Sequence, residues 1–145
     1  MNFEQIRSLV GSDMKIDSSE LDVESLRTPQ LHNKYLNIFH DERLILKKLN
    51  VDYAELKKSK WEYYTGKMSL EELKERDWEP FQFKILKTDV DRYLDADKDL
   101  VHVRNKIMYQ EEKVEYLASV LKSISSRQWD IKNAIDFRKF INGVS

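Results

Sequence analysis

The chain has 145 residues, of which 35% are charged, with three glycines, two prolines and no cysteine. So few helix breakers in a chain rich in Lys, Glu and Leu favour an all-α fold, and the missing cysteines exclude disulfides and thiol chemistry. The net charge of −1 neither requires nor excludes a nucleic-acid partner, so only a local basic patch can bind phosphate.

The first elements are predicted from capping signals and helix breakers. Residues 2–10 should form a short helix that ends at Gly11, and a polar connector follows. A second helix should begin near Ser18 and break near Thr28, because Pro29 is best accommodated at the start of a new helix. The N-terminal stretch has no long apolar run, so we expect no signal peptide, no membrane span and a cytoplasmic location.

The middle of the chain predicts the first of two long helices. The stretch 31–64 contains no Gly or Pro, and its apolar residues recur at steps of three and four, as in an amphipathic helix that ends at Gly66. Ser69 should cap a short helix through Lys74. The aromatic stretch 78–87 is expected to form an extended segment or a small hairpin, before another short turn.

The last third of the chain carries a heptad pattern. A helix starting around residues 95–97 has apolar residues at alternating spacings of three and four, and only Gln110 and Gln128 are polar in this stripe. About 40 residues of helix are roughly 60 Å long, so this helix must pair with another long helix, in the same subunit or in a neighbouring one. The stripe supplies the predicted oligomerisation residues Val103, Ile107, Val114, Leu117, Leu121, Ile124, Ile131 and Ile135.

Two interpretations of the stripe remain open. An antiparallel hairpin with helix 31–64 would cover the stripe within one subunit. The C-terminal helix has a second apolar strip, however, and one partner helix cannot cover both, which favours contact with another subunit. The second strip consists of Val120, Ala134, Phe137, Phe140 and Ile141.

The segment KKSKWEYYTGK, residues 57–67, is the best candidate for a nucleic-acid contact. Lysines reach phosphates and aromatic rings stack on unpaired bases, so their combination suits single-stranded nucleic acid. The alternative is a helix end whose lysines complement the dipole and whose aromatic rings pack in the core. The predicted DNA-binding residues are Lys57, Lys58, Lys60, Trp61, Tyr63, Tyr64 and Lys67.

The chain has aspartates and histidines, but their spacing matches no known metal-binding or catalytic motif. The aspartates of the run 89–99 fail as a calcium loop, because Leu100 stands where glycine is needed and Lys106 where a bidentate glutamate is needed. The three histidines lack ligand spacing, and three glycines leave no P-loop. We therefore expect no enzyme activity and no cofactor, and we interpret the aspartates as helix caps.

Four segments in matching order resemble the UvsY family of phage recombination mediators. They are IDSSEL with Glu24 and later KYLN near the start, the motif LKKSKWEYYTG, the stretch LDADKDLVHV, and the ending SISSRQWDIKNAIDFRKFINGVS. The likeness covers nearly the whole chain, and residues 67–87 differ most.

The resemblance implies a non-enzymatic protein that binds single-stranded DNA and forms ring-like hexamers or heptamers. The implied partners are a RecA-like phage recombinase and the phage single-strand DNA-binding protein, in the bacterial host cytoplasm. The family's important lysine corresponds to Lys58, and its important arginine to Lys60, which keeps the charge but lacks the planar guanidinium. We accordingly divide one structural unit into a DNA-binding region, 1–94, and a long oligomerisation helix, 95–145.

The predicted function is therefore a recombination mediator that binds single-stranded DNA as a homo-oligomer. It would promote loading of a RecA-like recombinase onto DNA coated by single-strand binding protein, with each ring multiplying a weak contact made by one subunit. The alternative is a non-catalytic coiled-coil structural or adaptor protein without DNA binding, in which the aromatic residues serve packing alone.

Overall fold

The fold is all-α in the computed structural model, which describes residues 1–143. The helices are α1 (Phe3–Asp13), α2 (Leu21–Tyr64), α3 (Leu70–Arg76), α4 (Val90–Ala96) and α5 (Lys98–Ile141), with a 3₁₀ turn at Lys87–Asp89. No strand occurs among these residues, so the stretch 78–86 is irregular and the hairpin alternative is not formed. No helix within residues 1–143 is both long and apolar enough to cross a bilayer.

Helix α1 continues past Gly11, where it was predicted to end. Asn2 opens the helix with a capping box, in which its side chain accepts from the Gln5 N–H at 2.8 Å. A glycine inside a helix costs about 1 kcal/mol. Burial of Ile6 and Val10 in the core offsets that cost, so the helix runs on to Asp13.

Helix α2 runs through Pro29, so the predicted break near Thr28 is wrong. Proline lacks the N–H that the preceding turn would use, and its ring crowds that turn. The buried guanidinium of Arg127 binds this turn, because it donates to the Glu24 carbonyl, the Glu24 carboxylate and the Thr28 hydroxyl. A tertiary contact therefore holds the turn that the proline weakens.

Three other predicted helix boundaries, at Gly66, Ser69 and Asp97, are confirmed. Helix α2 ends at Tyr64 in a Schellman motif, with Gly66 at φ +72° and the Lys67 N–H donating to the Glu62 carbonyl at 2.8 Å. Ser69 caps α3. Asp97 begins α5, where its carboxylate accepts from the Leu100 N–H at 3.0 Å.

The chain forms two compact units. The first, Met1–Arg43 with Glu112 onwards, has a core of residues from α1, α2 and α5. The second, Leu44–Glu111, is built around Val90, Leu94 and Leu100. These units do not follow the functional regions 1–94 and 95–145, which stay a prediction. The first core contains Ile6, Val10, Leu31, Tyr35, Leu117, Val120 and Ile124.

Candidate nucleic-acid interface

The last turns of α2 distribute the predicted DNA-binding residues over two faces. Residues three or four apart share a helix face, so Lys57 and Lys58 both flank Trp61. All three side chains are exposed, and Trp61 is 40% accessible. Neither lysine has a carboxylate at ion-pair distance within residues 1–143. This face presents two available positive charges beside an indole ring.

Lys60 lies on the other face and is buried. Only 6% of its surface is accessible, and its Nζ contacts carboxylate oxygens of Asp97 at 3.2 Å and Asp99 at 2.7 Å. The same Nζ lies 4.0 Å from the ring centre of Trp78. In this arrangement the charge of Lys60 is neutralised by two aspartates and is not presented to a phosphate.

Asp97 is the centre of the network around Lys60. The Tyr64 hydroxyl donates to its Oδ2 at 2.6 Å, and the Leu100 N–H donates to its Oδ1. Burial opposes the charge of Asp97, but the hydrogen bonds from Tyr64, Leu100 and Lys60 outweigh it and lower the pKa of Asp97. Burial and the Asp97 carboxylate raise the pKa of Tyr64. The carboxylate therefore stays charged and fixes the start of α5 to the end of α2.

An aromatic cluster holds the irregular stretch 78–86 against the end of α2. Tyr63 contacts Trp78 and Phe81 with ring centres 5.5 and 5.7 Å apart, and its hydroxyl donates to the Glu79 carbonyl at 2.7 Å. The ring of Tyr64 packs edge-on against Phe81 at 5.0 Å. Both tyrosines thus contact neighbouring side chains of this cluster, and their role in DNA binding stays a prediction.

A groove of about 800 Å³ lies beside Trp61. Lys67 forms one part of its lining and places its Nζ 4.4 Å from the centre of the Trp61 ring. Among residues 1–143, the lining includes three lysines and no acidic residue. The sequence did not predict nine of the twelve lining residues, although the aromatic and basic residues of FQFKILK were a usable signal. The nine include Phe83, Lys84 and Lys87.

The predicted oligomerisation residues are mostly turned towards their own subunit. Leu117 and Ile124 are fully buried in the first core, and Ile107 and Ile131 are also buried by this chain alone. The four partly covered residues are Val103, Val114, Leu121 and Ile135. Their role between subunits stays a prediction.

The second apolar strip behaves differently along its length. Val120 joins the core of the first unit. Phe137 and Phe140, by contrast, are 63% and 80% accessible, and Ile141 and the nearby Trp129 are also exposed. The end of α5 therefore presents large apolar side chains that this subunit does not cover.

Of the aspartate run interpreted as helix caps, Asp97 is confirmed as a cap, whereas Asp89 precedes α4 without a side-chain cap. Asp97 caps α5, and together with Asp99 it binds Lys60. Within residues 1–143, no group of three or more histidine, aspartate or glutamate side chains is placed to hold a metal ion.

The fold and this surface define a helical protein with an exposed aromatic ring among available lysines. The chain belongs to the UvsY family, whose model, described as "Recombination, repair and ssDNA binding protein UvsY", matches residues 10–144. The predicted resemblance is confirmed.

Individual relatives agree with the family assignment. The recombination protein uvsY of Enterobacteria phage T4 is 25% identical over 143 residues, covering 99% of each chain. Two crystal structures of the bacteriophage T4 recombination mediator protein UvsY share the fold at 24% identity. One gives a TM-score of 0.85, covering 97% of this chain and 99% of that one. The other gives 0.84, covering 98% of each.

Proposed function

We propose that this protein is a recombination mediator that binds single-stranded DNA as a homo-oligomer. It promotes loading of a RecA-like recombinase onto DNA coated by the phage single-strand binding protein, in the host cytoplasm, and it is not an enzyme. The observation that carries the proposal is the exposed face of α2 on which Lys57 and Lys58 lie one helical turn before Trp61.

The chemistry of this face suits an unpaired strand. Lys57, Lys58 and Lys67 supply positive charge to phosphates, and the accessible indole of Trp61 supplies a surface on which a base stacks. Lys60 is assigned a different role from the one predicted, because two aspartates already neutralise it. It positions the end of α2, and the phosphate contacts belong to its exposed neighbours.

Oligomerisation supplies the affinity that one small patch lacks. A net charge of −1 gives no general attraction to DNA, so a single subunit binds weakly. Linked copies of a weak site gain avidity through effective concentration. The exposed Phe137, Phe140 and Ile141 at the end of α5 support a contact between subunits, since large apolar patches usually mark an interface.

The adaptor alternative is weakened by the same face of α2. A coiled-coil protein without DNA binding would have no use for clustered lysines at the end of this helix. Lys57 and Lys58 are nevertheless exposed there beside Trp61.

Replacing both exposed lysines tests the proposal. We expect Lys57→Ala with Lys58→Ala to weaken binding of an unstructured oligonucleotide and to flatten its salt dependence. Removing one lysine–phosphate interaction reduces the slope of log K against log salt by about 0.7 for a single strand. Fluorescence anisotropy at several salt concentrations measures both the affinity and the slope.

The matched control is Lys15→Ala, which removes one exposed positive charge from the connector before α2. It should leave the slope unchanged. Wild-type protein that does not bind the oligonucleotide at low salt would refute the proposed function. If the slope of log K against log salt is unchanged in the double variant, this face of α2 does not contact the phosphates.

A further inference from the structure

The groove beside Trp61 has the composition of a nucleotide site. Its volume of about 800 Å³ lies within the range of pockets that hold small ligands, about 300–1,000 Å³. Trp61 and Phe83 are the two aromatic side chains that are most accessible there, at 40% and 71%. Within its own unit Phe83 contacts the ring of Phe81, with 5.8 Å between ring centres, and most of its surface stays exposed.

The positive charge around the groove favours an anionic ligand. Lys67, Lys84 and Lys87 belong to the lining and are exposed, whereas no acidic side chain of the described part of the chain belongs to it. None of the three lysines forms an ion pair within residues 1–143. An apolar peptide or helix would use the rings but not the charges. An unpaired nucleotide uses both, because it has a flat face and a phosphate.

The groove also adjoins the proposed DNA contact. Trp61 belongs to both, and Lys57 and Lys58 lie one helical turn before it, about 5.4 Å along the axis. A strand held by these lysines can therefore continue into the groove without leaving the surface of the second unit.

We propose that this groove is a base-binding subsite, in which an unpaired nucleobase contacts Trp61 and Phe83 and the adjoining phosphates contact Lys67, Lys84 and Lys87. The inference rests on the proposed function and deepens it. It assigns a DNA-binding role to residues 81–87, a stretch outside the basic-aromatic motif. Duplex DNA does not fit this site, since its bases are stacked on one another and its ring faces are covered.

Comparing a normal strand with an abasic one separates stacking from charge. Phe83→Leu keeps an apolar side chain but removes the ring. We expect it to weaken binding of a thymidine oligonucleotide by about 5- to 160-fold, the range for loss of one base–aromatic stack. Affinity for an abasic strand of equal length should not change. Lys84→Ala with Lys87→Ala should weaken binding of both strands.

Leu86→Ala is the matched control. Leu86 has the same accessibility as Phe83, 71%, and lies in the same segment, but it is not part of the groove lining. It should bind both strands as the wild type does. Urea unfolding of each variant establishes that it is folded as stably as the wild type.

The outcomes distinguish this subsite from the proposed function. If Phe83→Leu matches Leu86→Ala on both strands while Lys57→Ala with Lys58→Ala still weakens binding, the subsite is refuted and the function stands. If Phe83→Leu lowers the mass of the native particle and both strands lose affinity equally, the groove is a subunit interface and the subsite is refuted. A selective loss for the base-containing strand supports it.

Discussion

At the scale of single residues, three lysines that look equivalent in the sequence have different environments. Lys57 and Lys58 are exposed, whereas Lys60 is buried between Asp97, Asp99 and the ring of Trp78. Helical spacing explains the separation, because Lys60 projects to the face of Tyr64. Charge alone therefore does not identify a phosphate contact.

Replacing Lys60 should affect stability more than the charge presented to DNA. Lys60→Ala leaves the buried Asp97 without its cation, and breaking a buried ion pair costs about 3 kcal/mol. We expect the free energy of unfolding to fall by about this amount, while Lys58→Ala, on the surface, should change it by less than about 0.5 kcal/mol. Urea unfolding measures both.

The salt dependence of oligonucleotide binding separates the two roles of Lys60. At salt concentrations where the Lys60→Ala variant remains folded, its slope of log K against log salt should equal that of the wild type. The Lys58→Ala variant should have a flatter slope. A flatter slope with unchanged stability would mean that Lys60 leaves Asp97 and contacts a phosphate.

The candidate site was predictable only where residues are close in sequence. The clustering of Lys57, Lys58 and Trp61 follows from helix periodicity, so the motif was found. The burial of Lys60 was not predictable, since it depends on Asp97 and Asp99, far along the chain. Phe83 likewise reaches the groove through an irregular segment, whose path no periodicity indicates.

At the scale of helices, local capping was predictable and tertiary compensation was not. Gly66, Ser69 and Asp97 end or begin helices through hydrogen bonds within a few residues, and these boundaries are confirmed. Pro29 is a local breaker that the structure overrides, because Arg127 binds its turn from another helix. Breaker signals in this chain are therefore weaker evidence than caps.

Replacing the guanidinium of Arg127 by the ammonium of lysine should destabilise the first unit. Arg127 is 1% accessible and donates to Glu24 and Thr28, and a lysine cannot reproduce this set of planar contacts. We expect Arg127→Lys to lower the free energy of unfolding by about 2 kcal/mol. Urea unfolding measures it, with Arg92→Lys, an exposed position, as the control.

The result for Arg127→Lys also tests why α2 continues through the proline. If Pro29→Ala stabilises the Arg127→Lys variant by more than it stabilises the wild type, the guanidinium compensates for the proline. If Arg127→Lys unfolds at the same urea concentration as the wild type, the guanidinium does not hold this turn.

At the scale of the whole molecule, the two apolar strips of α5 contain both core positions and exposed positions. Leu117 and Ile124 fill the core of the first unit, so a charge at either position would unfold the subunit before it could report on assembly. Phe137 and Phe140 are free of that constraint, because the subunit leaves them accessible. The sequence identified both strips, but only the folded chain separates core positions from exposed ones.

The proposed mediator depends on several copies acting together, which makes particle mass the decisive quantity. We expect Phe137→Ser with Phe140→Ser to form smaller particles than the wild type, since the interface between subunits then lacks two apolar anchors. Affinity for single-stranded DNA should fall with the particle mass, because avidity requires linked sites.

Sedimentation equilibrium at micromolar protein, with and without a labelled unstructured oligonucleotide, measures mass and binding in one experiment. The wild type should sediment as a multimer that carries the oligonucleotide, and the Phe137→Ser, Phe140→Ser variant as a smaller species that carries little. A wild-type monomer that retains the oligonucleotide just as tightly would contradict the proposal that assembly creates the firm DNA contact.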